Sequence, residues 1–402
     1  MNAKVSIAVL ALGLALGHPV FASDAGYIYG RVETVDGDTY EGQLRWGKEE
    51  SFWDDIFNAT KVENENLDYL DRKTLSRIRR QQNFDWDFIF GNKSGSFTHV
   101  FAIRFGDLKR IRIGGGEDLV VTFRNDEEMR LEGGSNDVGA VITVADAKRG
   151  RHELNWNRIR TIDFANTPTK LAAKLGEPIY GTVKSGRLDF TGRIQWDHDE
   201  CLTVDRLDGD TEDGRVHLAF ADIKAIRKYR NGVLVALKSG EEQYVYGSND
   251  VNQDNRGVVI IVPGVGSVKV GWDDFDEVTF SAAPNSGRGY AEYAKEKNLN
   301  GTVVTREGRY EGRIVYDLDE SRDFELLQGT NGDTEYLIPF RDIARIKPLG
   351  WRRADVELHN GLTIELRGSQ DVTRENSGLL VFSGNNKPTY VGWQDVTEVI
   401  FR

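Results

Sequence analysis

The chain has 402 residues, a formal net charge of −12, a single cysteine (Cys201), and 8 prolines against 43 glycines. An acidic surface repels phosphate backbones and anionic headgroups, which excludes nucleic acid as a partner, and one cysteine excludes an internal disulfide. The length exceeds what one core supports, so two to four domains are expected.

Lys4 precedes an apolar run from Ile7 to Gly17, broken by His18-Pro19 and followed by the small-residue pattern Val20-Phe21-Ala22. This order predicts a signal peptide over 1–22, cleaved after Ala22. The run is too short for the roughly 20 residues of a spanning helix. No membrane span is therefore expected, and the protein is placed in the periplasm or outside the cell.

The rest of the chain repeats itself three times. Tyr29-Gly30-Arg31-Val32, Tyr180-Gly181-Thr182-Val183 and Asn300-Gly301-Thr302-Val303 open the copies, followed by YEGQLRW (40–46), FTGRIQW (190–196) and YEGRIVY (310–316). Then come IRFGDLKRI (103–111), LAFADIKAI (218–226) and IPFRDIARI (338–346), and a Gly-Ser-Asn/Gln-Asp-Val landmark at 134–138, 247–251 and 368–372. WNRIRTIDF (156–164), WDDFDEVTF (272–280) and WQDVTEVIF (393–401) close them. The second and third copies run about 120 residues apart, beyond the 20–50 residue unit of a solenoid. Three repeat domains are expected, 24–164, 178–280 and 299–402, joined by linkers 165–177 and 281–298. In the second linker Tyr290 to Lys297 reads as two helical turns.

Within a copy, Tyr40, Gly42, Leu44 and Trp46 alternate with Glu41, Gln43 and Arg45, the period of a half-buried strand. Asp36-Gly37 marks the hairpin before it. Phe220, Ile223 and Ile226 are spaced by three, which suits one 3₁₀ turn between two strands. Strand, turn and strand is how small SH3-like and Sm-like barrels end. The expectation is an all-β protein in which each domain holds two such barrel or sandwich modules, with a β-propeller as the alternative and a transmembrane barrel third.

The first copy is longer, and an α-containing insertion is assigned to about 47–97. Leu67, Leu70, Leu75 and Ile78 give a helical stripe, and Phe84, Trp86, Phe88 and Phe90 alternate as a strand would. Arginine and aromatic residues are the types enriched at binding hot spots. Phe52, Trp53, Phe57, Arg77, Arg79, Arg80 and Trp86 are therefore the expected partner-binding residues, with at least two of Trp53, Phe57 and Trp86 partly exposed.

No catalytic residue is assigned. Asp197-His198-Asp199-Glu200-Cys201 reads as a solvated acidic turn rather than a Cys–His dyad, because the matching stretches of the other copies lack both types. The histidines have no metal-ligand spacing, so no metal site or cofactor is assigned. Weak calcium binding is the one cation reading kept, at 208–214, Asp36-Gly37-Asp38 and Asn331-Gly332-Asp333, against plain hairpin turns. The Gly-Ser-Asn/Gln-Asp-Val landmark is expected to cap a turn, and Trp46, Trp196, Tyr316, Trp156, Trp272 and Trp393 to fill cores. The function expected is that of a non-enzymatic exported binding or scaffold protein of the bacterial cell envelope, with a protein or glycan partner. The alternative is an envelope polysaccharide- or peptide-hydrolysing enzyme with a carboxylate-based site.

Overall fold

The computed structural model describes residues 23–81, 100–384 and 387–402. The expected signal peptide and the strand expected near Trp86 lie outside the described residues.

The first copy contains β1 (Tyr29–Thr34), β2 (Thr39–Trp46), β3 (Ile56–Lys61), α1 (Arg72–Gln81), β4 (Val100–Arg104), β5 (Leu108–Gly115), β6 (Asp118–Phe123), β7 (Glu128–Glu132), β8 (Ile142–Asp146), β9 (Gly150–Leu154) and β10 (Ile159–Phe164). The period-two pattern drives these strands: along β1, Gly30, Val32 and Thr34 point inward while Arg31 and Glu33 point out. Gly37 closes the β1–β2 hairpin at φ +87°, a conformation that an L side chain resists.

Among the described residues the strands form a ten-stranded and a twenty-stranded sheet, both antiparallel. The first has the order β4-β3-β7-β6-β5-β10-β1-β2-β8-β9, and residues 180–280 and 300–401 each repeat that order. Each run of ten divides into two halves of five. In one, β4 and β5 flank a buried 3₁₀ turn at 105–107; in the other, β9 and β10 flank the turn at 156–158. The expected closed barrels are not formed. Closure of the first half would pair β5 with β4, but the outer edge of β5 pairs with β10, Ile162 opposite Ile111. A propeller is absent for the same reason, since the strands run on through two large sheets instead of separate blades.

Phe105, Phe220 and Phe340, which open equivalent 3₁₀ turns, are buried, as are Trp46, Trp196, Tyr316, Trp156, Trp272 and Trp393. They sit in three main cores, one for each copy.

The copies are not beads on linkers. The strands Gly266–Val270 and Thr334–Pro339 pair edge to edge and fuse the second and third copies into one sheet. The second linker contains a single 3₁₀ turn, Tyr290–Glu292, instead of two helical turns, and it folds back into the first copy's core. Tyr290 packs on Trp53 with ring centroids 4.4 Å apart, and its hydroxyl donates to the Leu108 carbonyl at 2.8 Å. Tyr293 lies flat against Gly106, where any Cβ would collide with the ring. Phe324 of the third copy joins the same core, 5.0 Å from Phe123 and 6.4 Å from Phe101.

The first and second copies meet reciprocally. Arg45 donates to the Asp199 carbonyl at 3.2 Å, and Gln195, the counterpart of Arg45, donates to the carbonyl of Glu49, the counterpart of Asp199, at 2.9 Å. Arg45 also pairs with Asp205 and Arg193 with Asp55, both at 2.7 Å. Ser51 and Cys201, again counterparts, touch each other at 3.6 Å. A contact in which i meets j and j meets i has the form of a two-fold axis.

The insertion begins later than expected. β3 occupies in the first copy the place of Arg206–Thr211 and Leu326–Asn331, so 47–61 belongs to the repeat and only 62–99 is extra. Asp71 starts α1 by accepting the N–H groups of Lys73 and Thr74 at 2.9 Å. The helix then buries Ile78 against Val315, Leu318 and Leu380 of the third copy. Asn64 and Asn66 both donate to the Leu318 carbonyl, at 3.1 and 3.3 Å. The described part of the extra segment, 62–81, is an internal clasp between the first and third copies.

Candidate functional site

The repeated landmark makes the same pair of bonds in every copy. The hydroxyls of Ser135, Ser248 and Ser369 donate to the carbonyls of Asn58, Asp208 and Gln328. The carboxylates of Asp137, Asp250 and Asp371 accept the N–H groups of those three residues at 2.7, 2.7 and 2.6 Å. The indoles of Trp46 and Trp196 and the hydroxyl of Tyr316 donate to the landmark Asp carbonyl at 2.8, 2.9 and 2.7 Å. The landmark therefore clamps a strand, and the aromatic four residues before an invariant glutamate locks the clamp.

That glutamate brings a second acid to the same place. Glu50, Glu200 and Glu320 each lie beside the landmark aspartate of their copy. Burial, reinforced by the neighbouring carboxylates, pushes Glu200 up to about 9, and Asp250 is raised by burial to about 6. Glu50 and Glu320 are raised well above the ordinary range by burial first, then by Asp137 and Asp371 respectively. Burial and a second carboxylate at close range favour the protonated form in each pair, because two neighbouring carboxylates cannot both ionise at low cost.

In the first copy the glutamate of the pair lines open space, while Asp137 lies buried behind it. A cavity of about 620 Å³ is walled by Glu49, Glu50 and Asn58 of the first copy, His198 and Arg256 of the second, and Glu335 of the third. It adjoins a cavity of about 540 Å³ with which it shares Ile56, Ile261, Ser267 and Leu337, so the space lies where the three copies meet. Burial and the nearby Lys269 and Arg256 lower His198 to about 3, leaving a neutral ring. Glu49, Glu50 and Asp137 each bring a carboxylate oxygen within 4.8 Å of the others.

Three of the seven expected partner-binding residues, Phe52, Trp53 and Phe57, are buried. Trp53 and Phe57 are both 0% exposed, so at most one of Trp53, Phe57 and Trp86 remains for the surface. The Trp53 indole donates to Thr167 at 3.0 Å, and Phe57 packs on Trp46 and Phe105. Phe52 is buried as well, stacked on Tyr27 at 4.9 Å under the Arg193 guanidinium. Tyr290 of the second linker packs over Trp53 and Arg193 of the second copy over Phe52, while Phe57 is enclosed by its own copy. Arg77 is exposed and lies over the Tyr390 ring of the third copy, 5.8 Å from its centroid. The side chains of Arg79 and Arg80, and Trp86 altogether, lie outside the described residues.

The acidic turn around Cys201 has no activated thiol. Burial pushes Cys201 up to about 12, and its one S–H has Ser51 Oγ at 3.6 Å and the Lys48 carbonyl at 3.7 Å as acceptors. Asp197 and His198 take left-handed φ values of 48° and 62°, matched by Asp317 and Leu318, so a turn required by the repeat accounts for them. The candidate calcium loops are hairpins, and three of their acids are engaged by side chains. Asp36 and Asp38 pair with Arg158 and Arg149, and Asp208 bonds His217 at 2.5 Å.

One surface feature was not anticipated from sequence. Trp351 is 72% exposed at the tip of the hairpin joining Ile343–Pro348 to Arg353–Leu358, beside Arg352 and Arg353. Its carbonyl accepts the Arg374 N–H at 2.8 Å, bringing a further arginine alongside. The signal was an aromatic in a turn whose counterparts, Arg230-Asn231 and Gly115-Gly116, have none. Among the described residues no helix is long and apolar enough to cross a membrane. Comparison with protein-family models, with curated proteins and with solved structures finds no match.

Proposed function

We propose that this chain is a non-enzymatic binding or scaffold protein of the bacterial cell envelope, exported after loss of residues 1–22, that holds a protein or glycan partner. In this reading the three copies are homologous tandem domains, and each half is an open SH3-like module. The strand order β10-β1-β2-β8-β9, with its 3₁₀ turn before the last strand in sequence, supports the assignment. The observation that carries the function is Trp351. The Trp351 side chain is largely left in water, and with Arg352, Arg353 and Arg374 it has the composition of a binding hot spot on an otherwise acidic protein. Fused cores and a shared sheet keep that hairpin on a rigid base, which lowers the ordering cost of association.

The test is capture from an envelope extract by wild type and by Trp351→Ala. Capture that falls at least about tenfold with Trp351→Ala supports the reading, as for a hot-spot truncation. Equal capture by both proteins, or none by either, removes it.

A second reading is a glycan or peptide hydrolase. The acid cluster of Glu49, Glu50 and Asp137, of which the two glutamates line the central cavity, favours it, since neighbouring carboxyls of raised proton affinity are the groups that such acid and base chemistry uses. Turnover of envelope polymers by wild type that is abolished in Glu50→Gln would establish that reading.

A further inference from the structure

The three acid clusters are equivalent in sequence but differ in what answers their charge. Each copy has an acidic dipeptide and a landmark aspartate: Glu49, Glu50 and Asp137; Asp199, Glu200 and Asp250; Asp319, Glu320 and Asp371. In the second copy Arg256 takes Asp199 at 2.8 Å. In the third, buried Lys61 takes Asp319 at 3.0 Å. In the first copy the nearest cationic nitrogen to Glu49 stands 3.8 Å away, on the same Arg256 already committed to Asp199. Among the described residues only this copy's three acids bring their oxygens within 4.8 Å of one another.

Two oxygens bound to one calcium ion at about 2.4 Å can stand at most about 4.8 Å apart, so the cluster has the span of a hard-cation shell. A separate observation points to the same ligand. Asn58 is 8% exposed, lines the cavity with Glu49 and Glu50, and hydrogen-bonds Asp137 through its side chain, yet its Oδ1 has no donor. A buried carbonyl oxygen without a partner costs on the order of 1–3 kcal/mol, and a cation would satisfy it.

We propose that Glu49, Glu50, Asp137 and Asn58 Oδ1 form a divalent-cation site, suited to calcium, on the wall of the central cavity. Water from the cavity completes the shell. The ion supplies in the first copy the positive charge that Arg256 and Lys61 supply in the other two. It sits where the second and third copies close over the first, so it ties the cavity wall together. A bound ion would also engage the carboxylates that a hydrolase needs free.

The test is a titration of the full chain with calcium, and with terbium detected by emission excited through tryptophan, since Trp46 is bonded to the Asp137 carbonyl. Saturable binding of one ion, weakened about tenfold or more in Glu49→Gln and in Glu50→Gln and unchanged in the hairpin variant Asp213→Asn, supports the site. Glu49→Gln keeps an acceptor for Asn136 and removes only the charge. Absence of saturable binding up to about 10 mM calcium, beyond the weakest extracellular modules, overturns the proposal. So does binding that Glu49→Gln leaves intact or that Asp213→Asn abolishes.

Discussion

Glu200→Gln should flatten the pH dependence of stability. Burial, then the charges of Asp250, Asp199, Asp197 and Asp205, push the Glu200 carboxyl from its ordinary 4.5 up to about 9. Between those two values the folded chain holds a proton that the unfolded chain has released, so the wild type loses stability as pH rises through the window. One proton is worth 1.36 kcal/mol per pH unit, so moving from pH 5 to pH 8 costs at most ~4 kcal/mol. Glu200 is only partly enclosed, and solvent screening reduces the expected loss to about 2 kcal/mol. Glutamine keeps the shape and has no proton to lose. Urea unfolding of both proteins at pH 5, 6, 7 and 8, in chelator and followed by tryptophan fluorescence, measures the difference. The variant should gain about 2 kcal/mol on the wild type across that range. Parallel pH curves, or a variant that loses ground as pH rises, would refute the assignment of a shared proton to the Glu200–Asp250 pair.

Lys61→Met should cost about 3–5 kcal/mol, because it leaves Asp319 and Glu325 buried without their cation; chemical denaturation reads this directly, and a loss below about 1 kcal/mol would mean the pair is solvated. Cys201 should stay unreactive toward a thiol reagent in the native protein and titrate fully in denaturant, because its thiol is buried and raised to about 12. Replacing 62–99 with an Asn-Gly turn should speed amide exchange in the third copy around Val315, Leu318 and Leu380, which α1 covers; unchanged exchange there would show that the clasp is dispensable.

The threefold repeat was legible in the sequence because its landmarks keep their order, and the buried phenylalanines were legible because 3₁₀ spacing puts them on one face. The acid clusters were legible too, had the offset of four from Trp46, Trp196 and Tyr316 to a glutamate been read as a pair with the landmark aspartate. The start of the insertion was misread because Phe52 and Trp53 have Leu202-Thr203 and Arg322-Asp323 as counterparts, which hides the repeat. The better guide was Asp55, Asp205 and Glu325, each accepting the N–H groups of residues three and four positions before it. The burial of Trp53 and Phe57 was not legible at all. For Trp53 it depends on Thr167 and Tyr290, more than a hundred residues away along the chain, and for Phe57 on Trp46 and Phe105 of its own copy.

The reciprocal contact between the first two copies has a meaning for ancestry. Arg45 reaching Asp199 while Gln195 reaches Glu49 is what two identical chains do when they pair around an axis. Joined end to end by duplication, two such partners no longer depend on concentration to meet, since the tether holds each at a high effective concentration for the other. Their sequences are then free to drift apart at the seam. Under the proposed reading of the copies as homologous domains, Ser51 facing Cys201 and Arg45 standing opposite Gln195 are where the seam has diverged. Ion pairs confined to one side of the axis, such as Arg45 with Asp205, are open to a tethered pair and closed to a symmetric one.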